Sequence, residues 1–157
     1  MNYQIKQTDL SEIDLIQPLW EKLNLLHFDL SQNFKHRFAD MSWEKRKTKL
    51  LDKSEEIMIE TVRDENNILI GYCISSIEKG NNLTGEIDSV YIEESHRKSG
   101  LGTQLIQNAI DWLTTKGTVE QKLLVGIGNE KVLDFYKQFD FYPLHIVLQR
   151  IDSQPKL

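Results

Sequence analysis

The chain has a single cysteine and no long apolar run, and both absences exclude classes of protein. Its 157 residues contain only Cys73, so an internal disulfide cannot form and a disulfide-held secreted scaffold is excluded. The surrounding stretch 68–74 is apolar, which predicts a buried structural thiol. No apolar run approaches the length of a membrane span, and the first residues lack the pattern of a secretory signal. We therefore expect a cytoplasmic protein with no membrane partner.

Excess positive charge and metal-binding spacings are also lacking. The 19 Lys and Arg residues are outnumbered by 24 Asp and Glu residues, which gives a net charge of −5 and argues against a nucleic-acid partner. The basic run Lys45–Lys47, with Lys49 and Lys53, is followed closely by acidic residues, so it favours a solvated helix face over a binding patch. The four histidines show none of the close spacings of a zinc site. We expect no metal.

Hydrophobic periodicity predicts one domain over residues 1–157, because the chain shows no repeat, linker or shift of composition. The predicted order of elements is β-α-α-β-β-β-α-β-α-β. Pro18 should kink the first helix or mark a break in it. The predicted strands cover residues 2–7, 57–62, 68–77, 84–92, 121–127 and 144–151, and the helices cover 11–28, 42–51, 101–116 and a shorter stretch from Asn129.

The segment Ser95–Thr103 is the strongest functional signal. It is a basic, glycine-containing loop between a predicted strand and a predicted helix, where free N–H groups of the first helical turn favour an anion. Gly100 and Gly102 let the backbone approach a ligand closely. The other interpretation is an ordinary glycine turn that begins a helix. The segment matches neither the P-loop nor the three-glycine dinucleotide motif.

The strand before this loop breaks its own alternation. Under strict alternation Ile87 and Ser89 lie on one face, whereas Val90 lies on the other face with Glu86 and Asp88. A β-bulge near Asp88 or Ser89 would resolve the conflict.

Two sequence blocks resemble the GNAT superfamily of N-acetyltransferases. The spacing Arg-x-x-Gly-x-Gly at 97–102 resembles that family's acyl-CoA pyrophosphate loop. The block from Asn129 through Phe135-Tyr136 resembles the one that closes the family's cofactor site, although Asp140 replaces the usual glycine. The order of elements matches the family arrangement over essentially the whole chain.

The resemblance implies an α/β (α+β) fold with a mixed, mostly antiparallel sheet flanked by helices. It also implies transfer of an acetyl group from acetyl-CoA to a primary amine by direct attack in a ternary complex. Tyr136 would protonate or stabilise the leaving thiolate, and Glu86 would serve as general base, with Asp88 or water as alternatives. Helical periodicity alone favours Tyr136 as one more aromatic residue of the core, whereas the spacing from Asn129 together with the loop favours the catalytic role. The cofactor-binding residues implied are Val90, Tyr91, Ile92, Arg97, Lys98, Ser99, Gly100, Leu101, Gly102, Thr103, Asn129 and Tyr136.

The acceptor is the least defined part of this prediction. Trp20, His27, Phe28 and Phe34 either line an acceptor pocket or pack in the core, and the sequence leaves both readings open. His96 is expected at the surface or near the phosphates. Since many GNAT proteins dimerise, a homodimer is an expectation that rests on the resemblance alone. The rival function is a non-catalytic acyl-CoA sensor or interaction module, which would need neither Glu86 nor Tyr136.

Overall fold

The computed structural model describes residues 1–151 and is built on a five-stranded sheet with helices on both faces. Short 3-10 turns precede three of the helices. The strands are β1 Gln4–Thr8, β2 Ser54–Arg63, β3 Leu69–Glu78, β4 Asn81–Ile92 and β5 Glu120–Leu123, and the helices are α1 Gln17–Leu30, α2 Lys35–Ala39, α3 Trp43–Lys53, α4 Leu101–Thr115 and α5 Leu133–Lys137.

The strands lie in the order β1-β2-β3-β4-β5. The first three pairings are antiparallel and the pairing of β4 with β5 is parallel, so the predicted mixed, mostly antiparallel sheet is confirmed. Successive side chains along each strand point to opposite faces of the sheet and pack into two separate cores. One core packs the sheet against α4 and α5, around Leu105, Ile106 and Cys73. The other packs it against α1 and α3, around Ile16, Leu50 and Tyr72.

Local signals explain where the first helices begin. The Ser42 hydroxyl accepts a hydrogen bond from the Lys45 N–H, so it caps α3 as its position in the sequence predicts. Pro18 lies in the first turn of α1, directly after the 3-10 turn Leu10–Ile16, where its missing N–H costs nothing. It therefore marks a break and not a kink. The short helix α2 was not predicted.

The predicted final strand at 144–151 is wrong, since no regular structure forms there. The strand β5 is also shorter than predicted and ends at Leu123 instead of 127. Residues 144–148 are exposed, and Gln149 accepts a hydrogen bond from the Arg37 side chain of α2. Alternating apolar residues indicate that a segment can form a strand. They do not indicate whether the edge of a sheet lies close enough to pair with it. Within residues 1–151, no helix has the length and apolar character needed to cross a bilayer.

Candidate active site

The site begins where β4 and β5 separate. The parallel pairing runs from Thr84 opposite Glu120 to Ile87 opposite Leu123 and then stops, although β4 continues to Ile92. Beyond Ile87, this side of β4 faces no strand in the described part of the chain. Its backbone groups are therefore free to bind an extended ligand that carries amides, as an added strand would.

A β-bulge lies at the point of separation. Across β3 and β4, Ile74 pairs with Ser89 while the next residue, Ser75, pairs with Ile87, so Asp88 is the extra residue. This confirms the bulge predicted from the broken alternation. Because the bulge shifts the register by one, Ile87 and Val90 face the core under α4, whereas Ser89 faces Tyr72 in the other core.

Three side chains from other elements hold the bulge in place. Arg46 of α3 donates a hydrogen bond of 3.1 Å to the carbonyl oxygen of Asp88. Lys53, at the end of α3, makes an ion pair with the Asp88 carboxylate. The buried Tyr72 hydroxyl lies 2.7 Å from Ser89 Oγ. The bulge is therefore held by contacts from α3 and β3.

The Asp88 side chain is only 1% exposed, and Lys53 is its cation. Lys53 Nζ also lies 2.6 Å from Glu86 Oε2 and 3.2 Å from Ser76 Oγ. Burial raises the pKa of Asp88, and the contacts with Lys53 oppose that rise. The second carboxylate oxygen, Oδ2, has no hydrogen-bond partner among the described residues. Both β4 carboxylates thus share one lysine.

A cavity of about 90 Å³ opens beside the bulge, with room for a few water molecules. It lies between the separating strands, the last turns of α1, and α5. Glu86 is not among the lining residues. Those residues are Leu23, His27, Ile87, Asp88, Ser89, Val90, Leu123, Leu124, Val125, Gly126, Asn129, Val132 and Tyr136.

Tyr136 reaches this cavity from α5. Its ring packs edge-on against Phe135 and Phe141 in the core under α4. Burial raises the pKa of Tyr136 to about 12, so the phenol keeps its proton at neutral pH. A protonated phenol beside a reacting centre can donate a hydrogen bond or a proton to a leaving anion.

The loop at 95–103 places the N-terminus of α4 at the far end of the open edge of β4. Gly100 is the N-cap residue with φ +86°, a conformation that glycine adopts without strain, and no side chain caps the helix. The first N–H groups of this fifteen-residue helix therefore remain available for an anion. Residues 97–100 are all exposed.

Arg97 is pre-positioned at this loop. Its Nε donates a hydrogen bond of 2.8 Å to the Ile92 carbonyl oxygen, and its guanidinium lies over the Tyr91 ring at 5.3 Å. These contacts leave its terminal nitrogens for a ligand. His96 contacts the Tyr3 hydroxyl at 3.3 Å through Nδ1.

The structure divides the remaining predicted site residues. Val90, Asn129 and Tyr136 meet at the cavity, whereas Glu86 lies outside it against Lys53. His27 lines the cavity, but Trp20 and Phe28 line a separate groove of about 540 Å³ between α1, α2 and α3. Phe34 lines neither. Sequence reasoning missed Lys53 and Arg46, whose distance from β4 along the chain leaves no pattern to detect.

Cys73 is a structural thiol, as predicted. It is 0% exposed in the core under α4, and burial raises its pKa to about 12. Among residues 1–151, no three His, Cys, Asp or Glu side chains come together in a way that could hold a metal ion.

Two curated relatives are similar to this chain. An uncharacterized N-acetyltransferase of Methanocaldococcus jannaschii is 34% identical over 74 residues, which cover 47% of this chain and 32% of the relative. An N-alpha-acetyltransferase of Sulfolobus acidocaldarius is 27% identical over 151 residues, which cover 90% of this chain and 80% of the relative. The chain thus spans about a third of the first relative and most of the second.

A solved structure shares the fold. The aminoglycoside N-acetyltransferase AAC(6')-Iy in complex with CoA superposes with a TM-score of 0.66 at 17% identity, covering 98% of this chain and 96% of the other. The profile of the acetyltransferase (GNAT) family matches residues 19–141, which include the separating strands, the bulge, the loop and Tyr136. The chain therefore belongs to the acetyltransferase (GNAT) family.

Proposed function

We propose that the protein transfers an acetyl group from acetyl-CoA to a primary amine by direct attack in a ternary complex. The observation that carries this proposal is the cavity at the separation of β4 from β5, because it brings the bulge and Tyr136 to one place. The family implies the acetyl donor, and the AAC(6')-Iy structure contains CoA.

The cofactor-binding residues follow the open edge of β4. The free N–H groups at the start of α4, with Arg97 and Lys98, would bind the pyrophosphate. The remaining loop residues in this role are Ser99, Gly100, Leu101, Gly102 and Thr103. Backbone groups of Val90, Tyr91 and Ile92 would pair with the two amides of the pantetheine arm, and Asn129 would lie near it.

The reaction forms an N–C bond and breaks a C–S bond. As the thiolate of CoA leaves, Tyr136 donates its phenolic proton to the sulfur or stabilises the charge. The attacking nitrogen must lose the proton that makes it an ammonium and a second proton as the amide forms. Glu86 is the base that the family resemblance implies, and it has to leave its contact with Lys53 to act as one.

Thermal stabilisation by CoA tests the binding half of the proposal. A ligand at 100 times its Kd adds about 2.7 kcal/mol to the free energy of unfolding, which raises Tm by several degrees in a domain of this size. If neither CoA nor acetyl-CoA raises Tm, the proposal fails.

Turnover tests the chemical half. We expect thiol release from acetyl-CoA with at least one member of a panel of polyamines, aminoglycosides, lysine peptides and peptides with a free N-terminus. Replacing Tyr136→Phe should lower kcat by about 10²-fold or more while CoA binding stays unchanged. Tyr142→Phe is the matched control, because Tyr142 is exposed and lines neither cavity. CoA binding without turnover on the whole panel would favour the sensor function.

A further inference from the structure

The Glu86 carboxylate is poorly placed to take a proton from the acceptor. It lies outside the cavity that contains Tyr136 and accepts a 2.6 Å hydrogen bond from Lys53 Nζ. Asp88 does line the cavity, but its carboxylate is buried and ion-paired with the same lysine. To accept a proton, either carboxylate would have to weaken its own contact with Lys53.

His27 is a third titratable side chain at this place, and within residues 1–151 no acidic side chain forms an ion pair with it. It lines the same cavity of about 90 Å³ as Tyr136 and the bulge. Leu23, one helical turn earlier, lines the cavity too, so this face of α1 points into it. The His27 ring contacts Phe38 of α2, with ring centroids 5.7 Å apart. The imidazole and the phenol therefore belong to residues that line one small cavity.

The contact between α1 and the loop before α5 fixes His27 relative to Asn129. A Cβ built on Gly128 would lie 2.3 Å from the Leu30 carbonyl oxygen, so the two backbones touch. Gly128 also has φ +102°, a conformation that glycine tolerates and other residues rarely adopt. His27 is therefore held at the cavity by the packing of α1 against Phe38 on α2 and against the backbone at Gly128.

We propose that His27 is the general base that accepts the proton from the attacking amine. This inference rests on the proposed acetyl transfer. The amine loses its ammonium proton to solvent before it attacks. Its nitrogen then forms the N–C bond with the acyl carbon, a second proton passes to the free imidazole nitrogen directly or through one water, and the C–S bond breaks. The sulfur takes the Tyr136 proton. The imidazolium then returns its proton to Tyr136, directly or through solvent, and the products are the acetylated amine and CoA thiol.

The electrostatic surroundings suit this role. Burial lowers the pKa of His27, so the ring is neutral and able to accept a proton at neutral pH. The titratable groups that share its cavity are Asp88 of β4, which Lys53 binds, and the protonated Tyr136 of α5. On α2, the side chain in contact with the ring is the neutral Phe38, while Lys35 binds the carbonyls of Phe28 and Asp29.

The test compares pH profiles of kcat for the wild type, His27→Gln and Glu86→Gln, with the fastest amine of the panel. We expect His27→Gln to lower kcat about 10²-fold or more, to keep the CoA-dependent rise in Tm, and to remove the acidic limb of the profile. Glu86→Gln should keep that limb. His36→Gln, on the neighbouring helix and outside the cavity, should match the wild type. His27→Asn replaces His27→Gln if the latter does not fold.

The outcomes separate the two proposals. An unchanged kcat and acidic limb in His27→Gln would overturn the role of His27 alone, as would a rise in KM with kcat and limb intact. Loss of the limb in Glu86→Gln but not in His27→Gln would assign the base to Glu86. CoA binding with no wild-type turnover on any amine would overturn the proposed function, and the base assignment with it.

Discussion

The loop 95–103 and the bulge at Asp88 lie toward opposite ends of the open edge of β4, and they are built in opposite ways. The loop is exposed, and the groups that we propose bind the pyrophosphate are backbone N–H groups from one continuous segment. The bulge has a carboxylate that is 1% exposed and is held by α3, which lies more than thirty residues earlier. Anchoring a phosphate needs only local backbone geometry, whereas placing a reacting centre needs contacts from several elements.

The largest expected effect is at the bulge. Replacing Lys53→Met leaves the buried Asp88 carboxylate without its cation, which should lower the free energy of unfolding by about 2 kcal/mol. The loss stays below that of a fully buried pair because Lys53 is 36% exposed. Urea unfolding measures it. The double variant Lys53→Met with Asp88→Asn should recover most of the loss, since an amide needs no cation. An equally unstable double variant would contradict the ion-pair account.

A pair of glycines tests the loop. Both Gly100 and Gly117 have positive φ and have no atom within 4 Å of an added Cβ, so alanine at either site should cost about 1–2 kcal/mol of stability. Only Gly100 lies at the N-terminus of α4. We expect Gly100→Ala to weaken CoA binding roughly fivefold, which calorimetry would measure, and Gly117→Ala to leave it unchanged. Equal CoA affinities in both variants would remove the loop from the binding site.

Salt dependence distinguishes the exposed end from the buried end. Arg97→Ala should raise the Kd for CoA about tenfold at low salt, and the difference should shrink as salt screens the exposed guanidinium. Arg63→Ala, at the end of β2, is the control. The effect of Tyr136→Phe on kcat should not respond to salt in this way. A salt-independent loss in Arg97→Ala would argue for a structural role.

The smallest effect concerns stability near pH 6. Because the pKa of His27 is lowered in the folded protein, the unfolded chain binds more protons as the pH falls below about 6.5. The wild type should therefore lose stability relative to His27→Gln as the pH falls from 7.5 to 5.5, by less than about 1 kcal/mol. Thermal unfolding at several pH values measures this difference. If the difference in stability between the wild type and His27→Gln did not change with pH, this result would contradict the burial of the His27 ring.

The difference between the loop 95–103 and the bulge at Asp88 explains how much of each could be predicted from the sequence. The loop is encoded by adjacent residues, so its strand-loop-helix position and its glycine turn could be predicted. The bulge was also predictable, because alternation must break where Val90 and Ser89 both need burial. Both signals are local, and both predictions are confirmed.

The partners of the bulge could not be predicted, since nothing in α3 marks Arg46 or Lys53 as facing β4. The basic run that contains them was correctly predicted to be helical. The predicted solvated face is incomplete, because Arg46 contacts the carbonyl oxygen of Asp88 on β4. The same limit explains the error at 144–151, where apolar alternation is present but no pairing partner is. The role of Tyr136 stays a prediction, and so does the base, for which the family resemblance implies Glu86 and the cavity favours His27.

The burial of Cys73 makes an assay that detects the thiol of released CoA convenient for this protein. Its only thiol is 0% exposed, and burial raises its pKa to about 12, so it is a poor nucleophile while the fold is intact. A disulfide reagent that detects CoA thiol during turnover should therefore meet almost no background from the enzyme. Slow labelling of Cys73 without substrates would instead report how often the core under α4 opens.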